Sequence, residues 1–373
     1  MAHSASNILV FSPAFRPLIG GSELALEALM RHMPERSFVV ITPRHSPRFP
    51  LSESQGNVRV RRVGFGIAWL DKYVFILWGA FVGLREARGA SVLHAYQASY
   101  AALAALIVRL VSGTPLIVTL QEGADFQKQS FLVRAGRWLA VRCADTVTAI
   151  SSPLVSYAQS VRRGGRVILV PNGVDPAPLL LHEERERVRS AWGVQGGDVC
   201  IYSASRLVSK NGIDVLLHAC VDLSFPWRLV IAGTGNDEAS LQSLATHLRV
   251  SDRVVWLGSV AHAQILSELG AADIYARPSR SEGQGIAFLE AMAAGVPVVA
   301  SQRGGLRDFV HDGETGFICD PDDIRSVTRA LTRAAQNSAE RAGVASRASE
   351  MVAREYLWSL IAPRMAAVYD TLA

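Results

Sequence analysis

The sequence predicts an α/β protein made of two Rossmann-like domains. Short apolar runs with the composition of strands alternate with helical patterns along the whole chain, which is typical of parallel sheets covered by helices. A length of 373 residues is enough for two domains that each bury a core. Apolar residues make up 49% and charged residues 19%, a balance typical of folded proteins rather than disordered ones.

The predicted strands follow one another at the spacing of βαβ units. In the first half they cover residues 8–12, 38–42, 58–63, 92–94, 116–120, 146–150 and 167–170. In the second half they cover residues 199–204, 228–232, 254–257, 274–276, 297–300 and 316–318. Each half is therefore expected to supply one sheet with helical crossovers.

The boundary between the domains is expected near residues 171–175, which read PNGVD. The segment PAPLLLHEERERV that follows has the prolines and charges of a linker. We therefore predict an amino-terminal domain over residues 1–172 and a carboxyl-terminal domain over residues 173–355. Apolar residues at helical spacing in residues 356–373 predict a closing helix.

Charge is distributed unevenly along the chain. Residues 1–180 carry 19 Lys and Arg against 10 Asp and Glu, and residues 181–373 carry 19 against 23. A basic first half attracts an anionic acceptor or an anionic membrane surface, so peripheral membrane contact is one expectation. A composition that is simply rich in arginine explains the charge equally well. We expect no nucleic-acid partner.

Neither a membrane span nor a signal peptide is expected. The apolar segment 73–84 is shorter than the roughly 20 residues that cross a bilayer, so a core helix is favoured and a helix lying on a bilayer is the alternative. The amino terminus lacks a basic region followed by a long apolar run. The four cysteines are scattered without metal-ligand spacing, which predicts reduced core residues in a cytoplasmic protein, with the inner face of the membrane as a further location.

The most informative segment, residues 279–300, reads SRSEGQGIAFLEAMAAGVPVVA. Its glycines let the backbone come close to a ligand, and a helix that begins near Ile286 aims free N–H groups at an anion. Glu282 precedes this turn, and Glu290 lies one turn inside the helix. Carboxylates in these places can accept hydrogen bonds from sugar hydroxyls and from a ribose diol beside the same phosphates. The arrangement suits a nucleotide-sugar.

Two cations follow a predicted strand in residues 205–214, SRLVSKNGID. Arg206 and Lys210 would lie at the carboxyl end of that strand, where α/β folds bind ligands, and would neutralise a diphosphate. Each charge-assisted contact contributes about 1.5–3 kcal/mol, so the pair could supply much of the affinity for a nucleotide. The alternative is a solvated Arg and Lys in a loop.

Paired glycines occur after two further strands. Gly20 and Gly21 precede a helix expected from about Ser22, where they would let the loop approach a diphosphate. Simple loop flexibility is the alternative. The same reasoning applies to residues 304–305, with Asp308 nearby.

The patterns P-S-x-x-E-G-x-G and E-A-M-A-x-G-x-P-V-V-A closely resemble the signature of retaining glycosyltransferases of the GT-B type, in family 4. The resemblance covers nearly the whole chain and is most specific in residues 199–320. It implies a GT-B fold, in which two Rossmann-like domains face a central cleft and the closing helix returns to the first domain. It also implies a retaining, metal-independent enzyme without a cofactor. Such an enzyme moves a sugar from a nucleoside-diphosphate-sugar to a glycan, lipid-linked or small-molecule acceptor on the first domain.

The resemblance also implies roles for individual residues. Glu290 would hold the ribose and Glu282 would contact the donor sugar, while Gln284 stands where many members carry an aromatic residue. Arg206 and Lys210 resemble the Arg and Lys of the family motif R-L-x-x-x-K-G, which bind the donor phosphates and stabilise the leaving group. Asn211 occupies the usual lysine column.

One family feature is missing. Many members carry a histidine in T-x-H-G-x-D, where this chain reads TLQEGADF. Alignment on Gly123 and Asp125 puts Glu122 in the histidine column, whereas alignment on Thr119 puts Gln121 there. A glutamate at this place could orient an acceptor hydroxyl or stabilise an oxocarbenium-like transition state.

These motifs predict residues with two kinds of role. The expected catalytic residues are Glu282, Arg206, Lys210 and Glu122. The expected donor-binding residues are Gly20, Gly21, Arg206, Lys210, Glu282, Gly283, Gln284, Gly285, Ile286 and Glu290.

Three other features are interpreted as structural or left open. The turn at residues 233–235 lacks the third glycine of a dinucleotide fingerprint and is expected to be structural. The acidic group Asp320, Asp322 and Asp323 is expected to be a solvated helix start rather than a metal site. His94 either faces the cleft, as in the family, or is a satisfied core histidine.

Three rival hypotheses remain. A nucleotide-sugar epimerase would use the same scaffold without an acceptor. A phosphorylase would need a lysine for a pyridoxal Schiff base, which is disfavoured because the chain has only Lys72, Lys128 and Lys210. A sugar-nucleotide-binding scaffold could have lost turnover together with the histidine.

Overall fold

The computed structural model describes residues 7–18, 20–123, 129–178 and 180–373. Its contacts divide the chain between Gly173 and Val174, and again between Leu357 and Trp358. Unit 1 holds the residues before the first division and after the second, and unit 2 holds the continuous stretch between them. The corresponding boundaries expected from the sequence are 172/173 and 355/356.

The strands of the described residues lie where apolar runs predict them, with one addition. They are β1 (Asn7–Phe11), β2 (Ser37–Pro43), β3 (Ser52–Gln55), β4 (Val58–Val63), β5 (Val92–Tyr96), β6 (Leu116–Leu120), β7 (Thr146–Ala149), β8 (Val167–Leu169), β9 (Val199–Ala204), β10 (Trp227–Ala232), β11 (Val254–Gly258), β12 (Ile274–Arg277), β13 (Val298–Ser301) and β14 (Phe317–Cys319). Every predicted strand is present, within about two residues at each end.

Helices connect most of these strands. They are α1 (Gly21–Arg31), α2 (Ala68–Glu86), α3 (Tyr100–Ser112), α4 (Phe131–Cys143), α5 (Ser152–Arg162), α6 (His182–Ala191), α7 (Ile213–Val221), α8 (Glu238–His247), α9 (His262–Glu268), α10 (Ile286–Ala293), α11 (Ile324–Gln336), α12 (Ser338–Glu355) and α13 (Trp358–Asp370). None of them, among the described residues, has both the length and the apolar character needed to cross a membrane.

Unit 1 contains a sheet in the order β3-β4-β2-β1-β5-β6-β7-β8, parallel except for β3. Helices α2 to α5 cover one face of this sheet, where they pack against inward side chains such as Leu9, Phe11 and Val118. The chain turns back between β1 and β5, because β2 to β4 lie on one side of β1 and β5 to β8 on the other. Loops at such a switch point form a crevice beyond the carboxyl ends of the strands.

Strand β3 is the one that the sequence did not predict. Its residues SESQ carry no apolar side chain, and most of them are exposed at the edge of the sheet. The strand is held instead by its antiparallel pairing with β4 and by Glu53, whose Oε1 accepts a hydrogen bond from Arg62 Nη2 at 2.8 Å. That hydrogen bond lowers the pKa of Glu53 below its ordinary value. Polar contacts of this kind leave no pattern of apolar periodicity.

The closing helix α13 belongs to unit 1, as the family resemblance implied. Tyr369 Oη lies 2.8 Å from Nδ1 of His94 on β5, and Arg36 Nη2 donates to Asp370 Oδ1 at 2.7 Å. The Tyr369 ring also packs edge-on against Phe38 of β2. Helix α13 therefore covers the sheet face opposite α2 to α5.

Helix α2 is longer than the predicted segment 73–84, and the expectation that it lies in the core is correct for one side only. Phe75, Gly79 and Gly83 are buried against the rest of unit 1. A Cβ atom at Gly83 would lie 2.6 Å from Phe11 Cζ, so the helix packs closely on β1. The opposite side of α2 carries exposed aromatic and aliphatic residues.

Unit 2 contains a parallel sheet in the order β11-β10-β9-β12-β13-β14. Its inward side chains fill one core cluster on each face, and the largest buried rings are Tyr202, Tyr275, Phe288, Phe309 and Phe317. From the middle of this sheet, β9, β10 and β11 lie in that order toward one edge, and β12, β13 and β14 lie in that order toward the other. The switch point of unit 2 therefore lies between β9 and β12.

His94 lies in the core of unit 1. Its Nε2 lies 2.6 Å from Thr119 Oγ1 and its Nδ1 lies 2.8 Å from Tyr369 Oη, so a neutral ring donates from one nitrogen and accepts at the other. Complete burial lowers the pKa of His94 to about 3. Of the two alternatives left open for this residue, the structure supports the core histidine.

This burial predicts a contribution of His94 to the pH dependence of stability. Between the folded pKa of about 3 and the ordinary value of 6.5, only the unfolded chain binds the proton. The free energy of unfolding should therefore fall by up to about 1.4 kcal/mol per pH unit as the pH is lowered below 6.5. Urea unfolding of wild type and His94→Gln at pH 7, 6 and 5 measures this fall in the free energy of unfolding. The variant should be less stable at pH 7 but lose less stability on acidification; parallel losses would contradict the assignment.

Candidate functional site

The predicted donor motifs of unit 2 converge at its switch point. Arg206 and Lys210 follow β9, and residues 279–286 follow β12, which pairs directly with β9 in parallel. Parallel strands bring these loops to the same edge of the sheet, where α/β proteins bind ligands. The adjacent strand β13 leads to the loop of Gly304 and Gly305 at the same edge.

Arg277, the last residue of β12, forms a buried ion pair with Glu282. Its Nη2 donates to Glu282 Oε1 at 2.7 Å, and Ser279 Oγ donates to the same oxygen at 3.0 Å. Arg277 Nη1 donates to the carbonyl of Ala204 at the end of β9, at 3.0 Å. The guanidinium also lies 4.6 Å from the centre of the Phe288 ring. Burial alone would lower the pKa of Arg277, but the charge of Glu282 raises it above its ordinary value.

Lys210 lies beside this pair. Burial lowers the pKa of its ammonium group, and the charges of Arg277 and Arg206 act in the same direction while Glu282 opposes them. The Arg280 N–H donates to the Lys210 carbonyl at 2.7 Å, so the loop that carries Arg206 and Lys210 contacts the loop that carries Glu282. Donor binding by these residues stays a prediction. Arg206 itself is exposed, and its carbonyl accepts a hydrogen bond of 2.6 Å from Asn211 Nδ2, which fixes the turn between the two cations.

Two glycines allow the loops around Glu282 to approach one another. Gly212 has φ +70°, and a Cβ atom there would lie 2.0 Å from the carbonyl oxygen of Pro278. Gly304 has φ +61°, and its Cβ would lie 1.8 Å from the carbonyl oxygen of Glu282. Neither position can accept a side chain without moving backbone. The glycine pair at 304–305 therefore supports the Glu282 loop from the β13 side.

Helix α10 begins at Ile286, the residue expected from the sequence. Gly285 is its N-cap residue, with φ +94°, and as a glycine it supplies no side-chain hydrogen bond to the first N–H groups of the helix. Gly283 and Gln284 are buried beside this start, and Ile286 is half-buried.

Glu290 lies one turn inside α10, where it is buried. Its Oε1 is 2.6 Å from Nε2 of His262, the first residue of α9. This contact fixes the direction of the carboxylate. A carboxylate in this place can accept hydrogen bonds from the hydroxyl groups of a sugar.

Sequence reasoning missed Arg277 and His262. Arg277 had a usable signal, since a lone arginine at the end of an apolar strand with a glutamate five positions later is typical of a buried ion pair. His262 had no comparable signal, because its contact with Glu290 joins two elements that are 28 residues apart.

The predicted donor glycines of unit 1 lie at the start of α1. Gly20 precedes the helix and Gly21 is its first residue. A Cβ atom at Gly20 would lie 2.3 Å from Glu23 Oε2, so the glycine leaves room for that carboxylate. Gln97, after β5, donates from Nε2 to Ser22 Oγ at 2.7 Å. The hydrogen bond between Gln97 and Ser22 thus places the start of α1 at the switch point of unit 1, and donor binding by Gly20 and Gly21 stays a prediction.

Glu122 and Gln121 differ in what they contact. Gln121 exchanges two hydrogen bonds of 2.9 Å with Asn172. Glu122 Oε2 accepts from the Gln121 N–H at 3.0 Å, while Oε1 is buried without a hydrogen-bond partner among the described residues. Burial raises the pKa of Glu122, and the charge of Arg137 opposes this. Glu122 therefore keeps an uncommitted oxygen, whereas Gln121 is committed to Asn172. The other alignment anchor, Asp125, lies outside the described residues.

The two discounted motifs have structural roles. A Cβ atom at Gly233 would lie 1.9 Å from the carbonyl oxygen of Ser205, so that turn packs on the loop after β9. Asp323 caps α11 by accepting from the Arg325 N–H at 2.9 Å. Asp320 and Asp322 pair with exposed Arg303. Within the described residues no cluster of acidic, histidine or cysteine side chains could hold a metal ion.

The burial of the Arg277–Glu282 pair predicts a large cost when one partner is removed. Arg277→Met should lower the free energy of unfolding by about 3–5 kcal/mol, because it leaves Glu282 buried without its counter-charge. Arg280→Met is a matched control, since Arg280 pairs with Asp214 at the same 2.7 Å but the two side chains are 31% and 40% exposed rather than 7% and 10%. The control should cost no more than about 1 kcal/mol in the same denaturant titration. Equal losses in the two variants would contradict the role of burial.

Two family models match the chain. One, described as "Glycosyl transferases group 1", matches residues 184–351. The other, described as "Glycosyltransferase Family 4", matches residues 19–178. Together they span most of both units.

One curated relative is a GDP-mannose-dependent alpha-(1-6)-phosphatidylinositol monomannoside mannosyltransferase from Mycolicibacterium smegmatis. It is 33% identical over 204 residues, which are 50% of this chain and 52% of that protein. The chain therefore matches about half the length of that relative.

Solved structures match over nearly the whole chain. A sucrose-phosphate synthase from Thermosynechococcus elongatus has a TM-score of 0.88 at 19% identity and covers 99% of both chains. The Anabaena protein HepE in complex with UDP and glucose has a TM-score of 0.84 at 21% identity and covers 98% of this chain and 100% of its own. At these identities the likeness concerns the fold, which is the GT-B fold expected from the sequence.

Proposed function

Because the chain belongs to the group 1 glycosyltransferases of family 4, we propose that it transfers a sugar from a nucleoside-diphosphate-sugar to an acceptor with retention of configuration. The observation that carries this proposal is the contact between the loop of Arg206 and Lys210 and the loop of the paired Glu282, beside the start of α10. A cationic site at a helix N-terminus suits a diphosphate, and carboxylates beside it suit the hydroxyls of ribose and sugar.

The proposed reaction requires the bond between the anomeric carbon and the phosphate oxygen to break. The acceptor oxygen then bonds to the anomeric carbon on the face that the diphosphate vacates, and its proton passes to the departing phosphate oxygen. Lys210 and Arg206 would stabilise the charge that develops on that diphosphate, a role that needs no metal ion. Glu282, held by Arg277, would accept hydrogen bonds from the donor sugar, and Glu290, directed by His262, would bind the ribose.

Unit 1 would bind the acceptor, and Glu122 is the residue that we expect to contact the acceptor hydroxyl. The uncommitted Oε1 of this residue suits a hydrogen bond from an acceptor hydroxyl, which would orient that hydroxyl toward the anomeric carbon. The relative from M. smegmatis is named a phosphatidylinositol monomannoside mannosyltransferase, which supports a lipid-linked or glycan acceptor here.

We also propose that the enzyme works in the cytoplasm, in peripheral contact with the membrane's inner face. All four cysteines are free thiols, three of them buried, which suits a reducing compartment. Cell fractionation that finds the protein in an oxidising compartment would contradict this location.

Nucleotide binding should depend on Lys210. Lys210→Met should weaken UDP or GDP binding by roughly ten- to a hundredfold, since one charge-assisted contact to phosphate is lost. Isothermal titration of both nucleotides measures this and also identifies the base. Lys72→Met is the control, because Lys72 is an exposed lysine of α2 in unit 1. Binding that is equal in the two variants, or absent from wild type, would overturn the proposed donor site.

Retention and independence from metal ions have direct readouts. With a donor that supports turnover, proton NMR of the first product should give the anomeric configuration of the donor. EDTA should leave the initial rate unchanged to within about twofold, because side-chain cations hold the diphosphate. A product of inverted configuration would refute retention. A rate abolished by EDTA and restored by Mg²⁺ would refute independence from metal ions.

A further inference from the structure

The outer sides of α2, α3 and α4 in unit 1 expose an unusual number of large apolar residues. On α2, Trp69, Tyr73 and Leu77 are 67%, 65% and 75% exposed, and on α4, Phe131 and Leu132 are 78% and 79% exposed. Single exposed apolar residues are normal on any protein, but a contiguous group marks a binding surface. We call these outer sides the α2–α4 surface.

On α2 the exposed side chains form a continuous row. Trp69, Tyr73, Leu77, Phe81 and Arg85 follow one another at intervals of four residues, so neighbours in the row are adjacent on the helix surface, and all five are exposed. Trp78 lies beside this row and packs edge-on against the exposed ring of Phe65. The row therefore runs almost the full length of α2 and ends in a cation.

Helices α3 and α4 extend the same surface. Helix α3 packs between α2 and α4, following the strand order β1-β5-β6-β7. A Cβ atom at Gly136 of α4 would lie 3.3 Å from Leu103 Cδ1 of α3, so these two helices are in close contact. Leu110 and Val111 on α3, and Trp138 and Leu139 on α4, are exposed.

The exposed charges of this surface are positive. Lys72 Nζ lies 5.1 Å from the centre of the Tyr73 ring, and the Arg85 guanidinium lies 4.3 Å from the centre of the Phe81 ring. On α4, Arg134 and Arg142 are exposed as well. Cations thus lie next to the apolar side chains along the surface.

The acidic residues of the three helices do not offset these cations. Helices α3 and α4 contain no Asp or Glu. On α2, Asp71 is buried and accepts from the N–H groups of Phe65 and Gly66 at 2.8 and 2.9 Å. Glu86, the last residue of α2, is paired with Arg59 and Arg61.

We propose that the α2–α4 surface docks on an anionic phospholipid bilayer. Aromatic and aliphatic side chains would enter the boundary between headgroups and acyl chains, and Lys72, Arg85, Arg134 and Arg142 would contact lipid phosphates. The absence of exposed acidic side chains from the three helices favours a uniformly negative partner over the mixed charges of a protein interface. The proposal does not depend on sugar transfer, because lipid binding is measured without donor or acceptor.

Vesicle sedimentation with purified full-length protein tests it. Wild type should pellet with vesicles of phosphatidylglycerol and phosphatidylcholine. Its partition coefficient for vesicles of pure phosphatidylcholine should be lower by about tenfold or more. Vesicles that carry brominated acyl chains should quench tryptophan fluorescence, since Trp69, Trp78 and Trp138 lie on the surface. Raising the salt concentration to 1 M should weaken binding, because it screens the cations.

Two double variants separate the contribution of the apolar side chains to vesicle binding from that of the cations. Leu77→Asp with Phe131→Asp, and Lys72→Glu with Arg85→Glu, should each lower the vesicle partition coefficient by about tenfold or more. Leu181→Asp is the matched control, because Leu181 is 71% exposed and lies in unit 2. It should bind vesicles as wild type does. Nucleotide binding and thermal unfolding should be unchanged in all three, which establishes that the fold is intact.

Three outcomes would overturn the proposal. Wild type could remain in the supernatant with anionic vesicles. The two double variants could bind as tightly as Leu181→Asp. Light scattering could find a dimer of wild type that Leu77→Asp with Phe131→Asp converts to a monomer, which would assign the surface to a second copy of the chain. Loss of nucleotide binding by Lys210→Met would survive any of these results, so failure here is distinct from failure of the proposed function.

Discussion

The buried ion pair between Arg277 and Glu282 is the constraint on which the candidate site depends. It ties the loop after β12 to the end of β9 through one guanidinium, which also bonds the carbonyl of Ala204. A buried charge is costly unless it is paired and hydrogen-bonded, and here Ser279 supplies a further hydrogen bond. The same arrangement requires glycine at positions 212 and 304, because the backbone there lies against the carbonyl oxygens of Pro278 and Glu282.

Lys210 shows how the rest of the site is poised electrostatically. Burial lowers the pKa of its ammonium group, and the charges of Arg277 and Arg206 lower it further while the charge of Glu282 opposes them. An anion that enters the site would relieve this repulsion. The protein thus bears the cost of collecting like charges when it folds, which would leave the proposed donor site arranged in advance for an anion.

Much of the fold could be predicted from the sequence, since a buried parallel strand leaves an apolar run that needs no context to be recognised. Strand β3 could not, because Glu53 and Arg62 hold it through polar contacts. The donor motifs of unit 2 were predictable as local segments, and the start of α10 at Ile286 followed from its glycines. His262 was not predictable, since its role arises only when α9 and α10 pack together. For α2, apolar composition alone did not distinguish the buried side of Phe75 from the exposed side of Trp69.

The chain leaves unit 1 at Gly173 and re-enters it at Trp358, so unit 2 is an insertion in the sequence of its neighbour. During synthesis the ribosome releases all of unit 2 before it releases Tyr369, the partner of His94. Unit 2 can therefore complete its core while the polypeptide is still growing. The sheet of unit 1, although made first, lacks the cover that α13 gives to one of its faces until that helix emerges.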